Sequence, residues 1–146
     1  MPVKRRIALM SIKPEYGYRI MRGIKKFELR RYSVEGRIKQ GDIVFLYFSY
    51  PVKALACMFV AGQVYEGTKE ELQNIASKLK NTGLEDKDWK YLEDRKVGMM
   101  IEVKKPRRIR KIPLDTLRKK FNFNPPRSYH IVKRNEPIYR LLASFT

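Results

Sequence analysis

The stretch IVFLYFSYPVKALACMFVAGQVY, residues 43 to 65, limits the fold more than any other part of the chain. IVFLYFSY is apolar on both faces of an extended backbone, and Pro51 ends it because proline cannot donate to a ladder. KALACMFVAGQVYEG is a second long apolar strand, so the two read as a hairpin through SYPVK. Strands that are apolar on both sides need cover on both sides, and the rest of the chain has to supply it.

The flanking segments contain suitable partners. RRIALMSI (5–12) has the apolar character of a first strand, and KPEYGYRIMRGI reads as a short helix. Pro14 suits its first turn and Gly23 its left-handed end. KKFELRRYS alternates Phe27 and Leu29 against Glu28 and Arg30, the period of a half-buried strand. Beyond residue 66 the period changes. Thr68 and Glu71 form a T-x-x-E capping box ahead of ELQNIASKLK, and EDKDWKYLEDR reads as a second helix carrying Trp89 and Leu92. VGMMIEVKKPRRIRKI returns to strand character, with Pro106 as a break or edge position. PLDTLRKKF is a short helix, NPPRSYHIV an extended segment held by its prolines, and NEPIYRLLAS a closing helix with Asn135 as its cap. This order predicts an α+β fold, a small mixed or antiparallel β-barrel of about five to six strands with flanking helices. The 146 residues suit one domain, 1–146, with 66–95 as a helical insert on its surface.

Charge narrows the function. Thirty-three Lys and Arg against 15 Asp and Glu leave a net of +18, which points to a polyanionic partner. A Lys-rich thermophilic surface would enrich Glu equally, and here Glu does not keep pace. The excess is also segregated: residues 66–95 carry eight acids and six bases, so the remainder carries +20. The single cysteine, Cys57, lies in ALACMFVA, excludes an internal disulfide and reads as a small buried hydrophobe. With His130 as the one histidine there is no ligand set for zinc, and no metal or cofactor is expected; His130 reads as an ordinary barrel or surface residue. No apolar run approaches a membrane span, and the basic N-terminus lacks a signal-peptide cleavage site, so a cytoplasmic location is expected.

The stretch GIKKFELR, 23–30, places one carboxylate among three cations where a helix ends and a strand begins. Alternation sends Glu28 and Arg30 to one face, so Glu28 can hold Lys25 and Arg30 in fixed geometry, and an oriented Arg offers a planar fork to phosphate or a base edge. The plainer alternative is an exposed cross-strand ion pair. Read as G-x-K-x-x-E-x-R through Gly23, Lys25, Glu28 and Arg30, the stretch resembles the signature of the ASCH (activating signal cointegrator homology) domain family, part of the PUA-like superfamily. SIKPEY, the 41–64 hairpin and PLDTLRKKFNFNPPRSYHIV resemble further family segments in the same order. The resemblance implies a PUA-like barrel with a cleft beside the first helix, lined by the signature and used by related domains to bind RNA, sometimes with one base or nucleotide in the pocket.

Other candidates come from segments the family brings near the signature: Ser11 and Lys13 at the end of the first strand, Tyr47 and Ser49 on one face of the second, and Ser128 and Tyr129 after the Pro-Pro brace. The tyrosines would stack a base or else pack in the core. Lys104, Lys105, Arg107 and Arg108 in KKPRRIRK form the main phosphate-facing patch, joined by Arg118, Lys119 and Lys120. The expected partner is nucleic acid, RNA in the first place, bound by a module acting in transcription or RNA metabolism. The alternative is a small hydrolase acting on N4-acylated cytidine nucleosides or on RNA: the resemblance to that subgroup would make Lys25 catalytic. The subgroup has threonine at the position of Glu28, and none of the acids in 66–95 matches its further catalytic carboxylate by local motif.

Overall fold

In the computed structural model, which describes residues 5–146, the 43–65 hairpin forms the middle of a six-stranded sheet. Residues 1–4, part of the basic N-terminus read as carrying no signal peptide, lie outside the described residues. In chain order the elements are β1 (Ile7–Ile12), α1 (Pro14–Met21), β2 (Phe27–Arg31), β3 (Ile43–Phe48), β4 (Ala54–Thr68), α2 (Lys69–Lys78), α3 (Asp86–Trp89), β5 (Val97–Pro113), α4 (Leu114–Phe121), β6 (Tyr129–Val132) and α5 (Tyr139–Ala143). The strand order is β2-β5-β4-β3-β1-β6, with β1 parallel to β3 and the other pairs antiparallel. The sheet curls into a PUA-like half-barrel, an α+β architecture, with β2 and β6 as its free edges.

Period-two alternation sorts the side chains into layers. Ala8, Met10, Val44, Leu46, Phe48 and Ile101 face inward, under Tyr16 and Ile20 of α1. Ile7, Leu9, Phe45, Tyr47 and Leu55 face the other way, under Leu117 of α4 and Leu142 of α5. Phe27, Leu29 and Met100 are covered by Leu72 of α2 and by Leu92. Among the described residues no helix is long and apolar enough to cross a membrane.

Four details differ from the sequence reading. The strand before the insert runs on to Thr68, whose side chain caps α2 through the expected box with Glu71. The second insert helix shrinks to the single turn Asp86–Trp89, after which the chain bends to bury Leu92. Pro106 neither breaks β5 nor ends it: Lys105 adopts φ 50° at a shift in the β4–β5 register, a bulge that takes the proline without a lost ladder bond. Asn135 does not cap the last helix, which starts at Tyr139. Glu136 precedes Pro137 and is steered out of the helical region, so residues 133–136 form a turn closed by the Glu136 carboxylate on the Lys133 N–H at 2.6 Å.

Helix α1 approaches β3 closely because residue 17 is glycine. A Cβ there would lie 2.4 Å from Cε1 of Phe48, a fully buried ring with no room to retreat. Gly17→Ala is therefore expected to destabilise the fold by about 1–3 kcal/mol, read from the denaturation midpoint, despite alanine's better helix propensity.

Candidate functional site

The free edges of the half-barrel come together at one end, and the signature residues lie where they meet. Ile24 and Lys25 donate backbone bonds to the Arg19 carbonyl at 2.9 and 3.1 Å, which folds the loop after α1 back on the helix. The insert clamps the same loop: Lys26 N–H reaches the Thr82 carbonyl at 2.9 Å. Gly83, at φ +70°, packs so tightly that a Cβ would sit 1.9 Å from the Ile24 oxygen. Lys25 is thereby driven inside, 2% exposed.

A charged amine cannot stay there alone. Lys25 Nζ donates to Glu28 Oε1 at 2.7 Å and lies 3.1 Å from Asp88 Oδ1, with the Tyr16 ring centroid at 4.9 Å. Glu28 is itself 4% exposed and receives Arg30 Nε at 2.8 Å on its other oxygen, with Arg30 Nη2 at 2.7 Å. Arg30 then crosses the seam. Its Nη2 donates to the Ser11 carbonyl at 2.8 Å, and its Nη1 to the Ser128 carbonyl and hydroxyl at 3.2 and 3.3 Å. Behind Lys25, Asp88 accepts from the Glu85 N–H at 2.7 Å and lies 3.5 Å from Arg19 Nη1. The seam continues away from this cluster: the Tyr129 hydroxyl donates to the Gly36 carbonyl, and His130 lies 2.8 Å from both Glu35 and Glu136.

Above the cluster opens a cleft of about 580 Å³. Tyr16 and Tyr91 meet edge to face at 5.6 Å on one wall, and Ser49, Ser128 and Tyr32 lie on others. Burial, then the neighbouring Tyr16 and Glu28, push the Tyr91 phenol up to about 12, so it is neutral at any physiological pH. Lys13 and Arg127 stand at the mouth, exposed, and among the described residues neither makes an ion pair or a side-chain hydrogen bond.

Ser11, Lys13, Lys25, Glu28, Arg30, Ser49 and Ser128 thus line one cavity. Three groups of candidates fall outside it. Tyr47 lies on the opposite face, 4% exposed in the α4 layer, because the chain leaves β3 at Phe48 and Ser49 no longer follows the strand's alternation. Tyr129 is 2% exposed with its hydroxyl committed to the seam, so it offers no stacking face. Lys104, Lys105, Arg107 and Arg108 are exposed on β5, away from the cleft lining. Arg30 is placed as expected but its fork is used up by protein acceptors. Asp88, Tyr16, Tyr91 and Arg127 went unnamed in the sequence reading. No local signal singles out Asp88 among the insert's acids; it is the fold that turns its side chain inward to the buried lysine.

Burial pushes the Glu28 carboxyl up, but the charges and hydrogen bonds of Lys25 and Arg30 outweigh it and hold the carboxyl below its ordinary 4.5. A folded-state value below the unfolded one means stability that is present above pH 4.5 and lost as pH falls through the folded value. Glu28→Gln takes the paired carboxylate from Arg30 and leaves the buried Lys25 with Asp88 alone, and is expected to cost about 3–5 kcal/mol near neutrality. Urea melts across the acid range check the sign: the variant should lose less stability on acidification than the parent does.

Residues 10–113 match the ASCH domain. Crystal structures of the ASCH protein of Zymomonas mobilis have the same fold. A point variant gives a TM-score of 0.79 at 22% identity over 97% of both chains. The protein itself gives 0.77 at 23% identity over 96% of both. The N-terminal domain of Thermococcus gammatolerans McrB, bound to m5C DNA, aligns at a TM-score of 0.56 and 14% identity over 97% of this chain and 99% of that one. That of Staphylothermus marinus McrB aligns at 0.58 and 12% over the whole of both chains. No curated protein sequence matches the chain significantly. With most of its length, including the buried Lys25–Glu28–Arg30 signature, inside the matched span, the chain belongs to the ASCH domain family.

Proposed function

We propose that this protein is a nucleic-acid-binding module that takes one unstacked base or nucleotide into the cleft and holds the adjoining phosphates at its rim. The observation that carries the reading is the division of charge across the cavity. On the floor every cation is matched by a carboxylate or carbonyl, whereas Lys13 and Arg127 at the mouth are unmatched. A nucleotide's phosphates are drawn to the rim, while its base meets the Tyr16–Tyr91 wall and the hydrogen-bonding groups of Ser49 and Ser128. The net charge of +18 supplies long-range attraction, and the m5C DNA held by the Thermococcus McrB domain is an example of a nucleic-acid ligand on a similar fold. RNA is the favoured class. Its loops and single strands present bases already unstacked, whereas a duplex must first spend a few kcal/mol extruding one. A regulatory role in transcription or RNA metabolism fits such a module.

One contact favours a second reading. Asp88, 3.1 Å from Lys25 Nζ, is a carboxylate beside a lysine on the cleft lining, the pairing a hydrolase acting on N4-acylated cytidine nucleosides would need. In that case Lys25→Ala abolishes turnover of acylated cytidine while nucleoside binding persists.

Ser49→Phe fills the cleft from a side chain without hydrogen-bond obligations among the described residues, and the double variant Lys13→Ala/Arg127→Ala strips the rim. Anisotropy titrations with single-stranded RNA across a salt series are expected to show affinity falling on the order of a hundredfold between low and physiological salt. The rim variant should reduce the logarithmic salt slope by about 1–2, and Ser49→Phe should weaken binding with the slope unchanged. A parent protein that binds no oligonucleotide, or whose affinity either variant leaves alone, refutes the reading.

A further inference from the structure

Apart from the cleft, the most strongly charged surface is the second half of β5. Strand β2 pairs with β5 only as far as Glu102, so from Lys104 onward β5 is an edge. Lys104, Lys105, Arg107, Arg108, Arg110 and Lys111 are exposed along it. Among the described residues only two of the six are engaged, Lys104 with Glu102 at 4.0 Å and Arg107 with the Phe145 carbonyl. The bulge at Lys105 adds local twist, and beyond it Arg107 and Arg108 are exposed on opposite faces of the strand, with Arg110 following Arg108 by two positions.

Register connects this edge to the cleft. Ile12 of the cleft lining pairs with Phe48, Phe48 with Ala54, and Ala54 with Pro113. The top of β5 and the mouth of the cleft therefore lie at the same end of the sheet, with the β3–β4 hairpin between them. That hairpin presents Tyr50, 81% exposed, between Ser49, which lines the cleft, and Lys53, whose carbonyl receives the Leu114 N–H at 2.9 Å just past the end of β5. The turn is pinned at both ends: Ser49 N–H bonds the Ile12 carbonyl at 2.9 Å, and Val52 N–H bonds the Ser49 carbonyl at 3.1 Å. The Tyr50 ring is left largely in solvent, and it stands on a fixed turn between two cationic surfaces.

We propose that Tyr50 is a stacking platform over which a single-stranded nucleic acid passes from the cleft to the basic edge of β5. The inference rests on the cleft reading above and adds a second contact surface to it. One nucleotide occupies the cleft, its neighbour stacks on the Tyr50 ring beside Lys53, and the following phosphates lie along Arg110, Arg108 and Lys105. Lys104 to Lys111 spans roughly 23 Å of extended chain, room for several nucleotides. Phosphate contacts on this edge carry no base information, so the edge lengthens the footprint without narrowing the sequence.

The test compares a labelled oligouridylate of about ten nucleotides with a labelled mononucleotide, which reaches the cleft alone, both titrated against Tyr50→Ala, Tyr50→Phe and Arg108→Glu/Arg110→Glu. Tyr50→Ala is expected to weaken the long probe roughly five- to hundredfold and to leave the mononucleotide within about twofold, while Tyr50→Phe keeps its stacking face and binds like the parent. The double reversal should weaken the long probe alone and reduce its salt slope. Unchanged long-probe affinity in Tyr50→Ala overturns the platform, and so does an equal loss on both probes. Unchanged affinity in the double reversal means the β5 cations only protect a bare strand edge, and overturns the route. Ser49→Phe separates the two levels. If it weakens binding while Tyr50→Ala does not, the platform fails and the cleft stands; if it changes nothing, the cleft reading fails and this one with it.

Discussion

The Glu28 carboxylate is the constraint on which the working end of this molecule depends. A curled sheet whose edges are β2 and β6 has no backbone ladder across its gap, so side chains must close it. Glu28 holds Arg30 through Nε and Nη2, and the remaining guanidinium bonds go to Ser11 at the end of β1 and Ser128 just before β6. The same carboxylate neutralises Lys25, which the loop geometry has forced inside. Removing it would take from Arg30 the carboxylate it is paired with and leave the buried Lys25 with Asp88 as its one counter-charge. Buried ion pairs rarely add net stability over an apolar core, but losing half of one is expensive, so the cluster specifies an arrangement more than it strengthens the fold.

The helical insert takes part in that arrangement. Its acidic composition suggested a surface turned away from phosphate, yet Asp88 is fully buried at the floor and Glu85 pairs with Arg19 at 3.0 Å. Gly83 makes the docking possible, since any side chain there would collide with the Ile24 carbonyl. The insert thus contributes a wall, through Tyr91, and a counter-charge, through Asp88, to a cavity whose other parts come from α1, β1 and β2.

Much of this was legible in the sequence, for reasons that are local. The hairpin followed from two apolar runs around Pro51, the Thr68–Glu71 box marked the start of α2, and alternation put Glu28 and Arg30 on one face. What escaped was set by contacts between distant residues. Asp88 meets Lys25 across 63 positions, and nothing in the string EDKDW says which carboxylate turns inward. Tyr47 shares parity with Ser49, but alternation holds only while a strand lasts, and β3 ends between them. Arg30 was expected to offer its fork to a ligand. The five donors of that fork were countable from sequence, but the carbonyls of Ser11 and Ser128 that consume them appear only once the sheet curls.

That consumption bears on what the cleft can hold. A free guanidinium on the floor would draw a phosphate to the bottom of the cavity and leave the base outside, where nothing could read it. With Lys25 and Arg30 already neutralised, a phosphate on the floor would have to displace Glu28, and the seam would open with it. The mouth carries no such penalty, because Lys13 and Arg127 are paired with nothing among the described residues. On the proposed reading, the ligand is therefore oriented before any specific contact forms: the cations bound within the protein exclude phosphate from the floor, and those left free hold it at the rim.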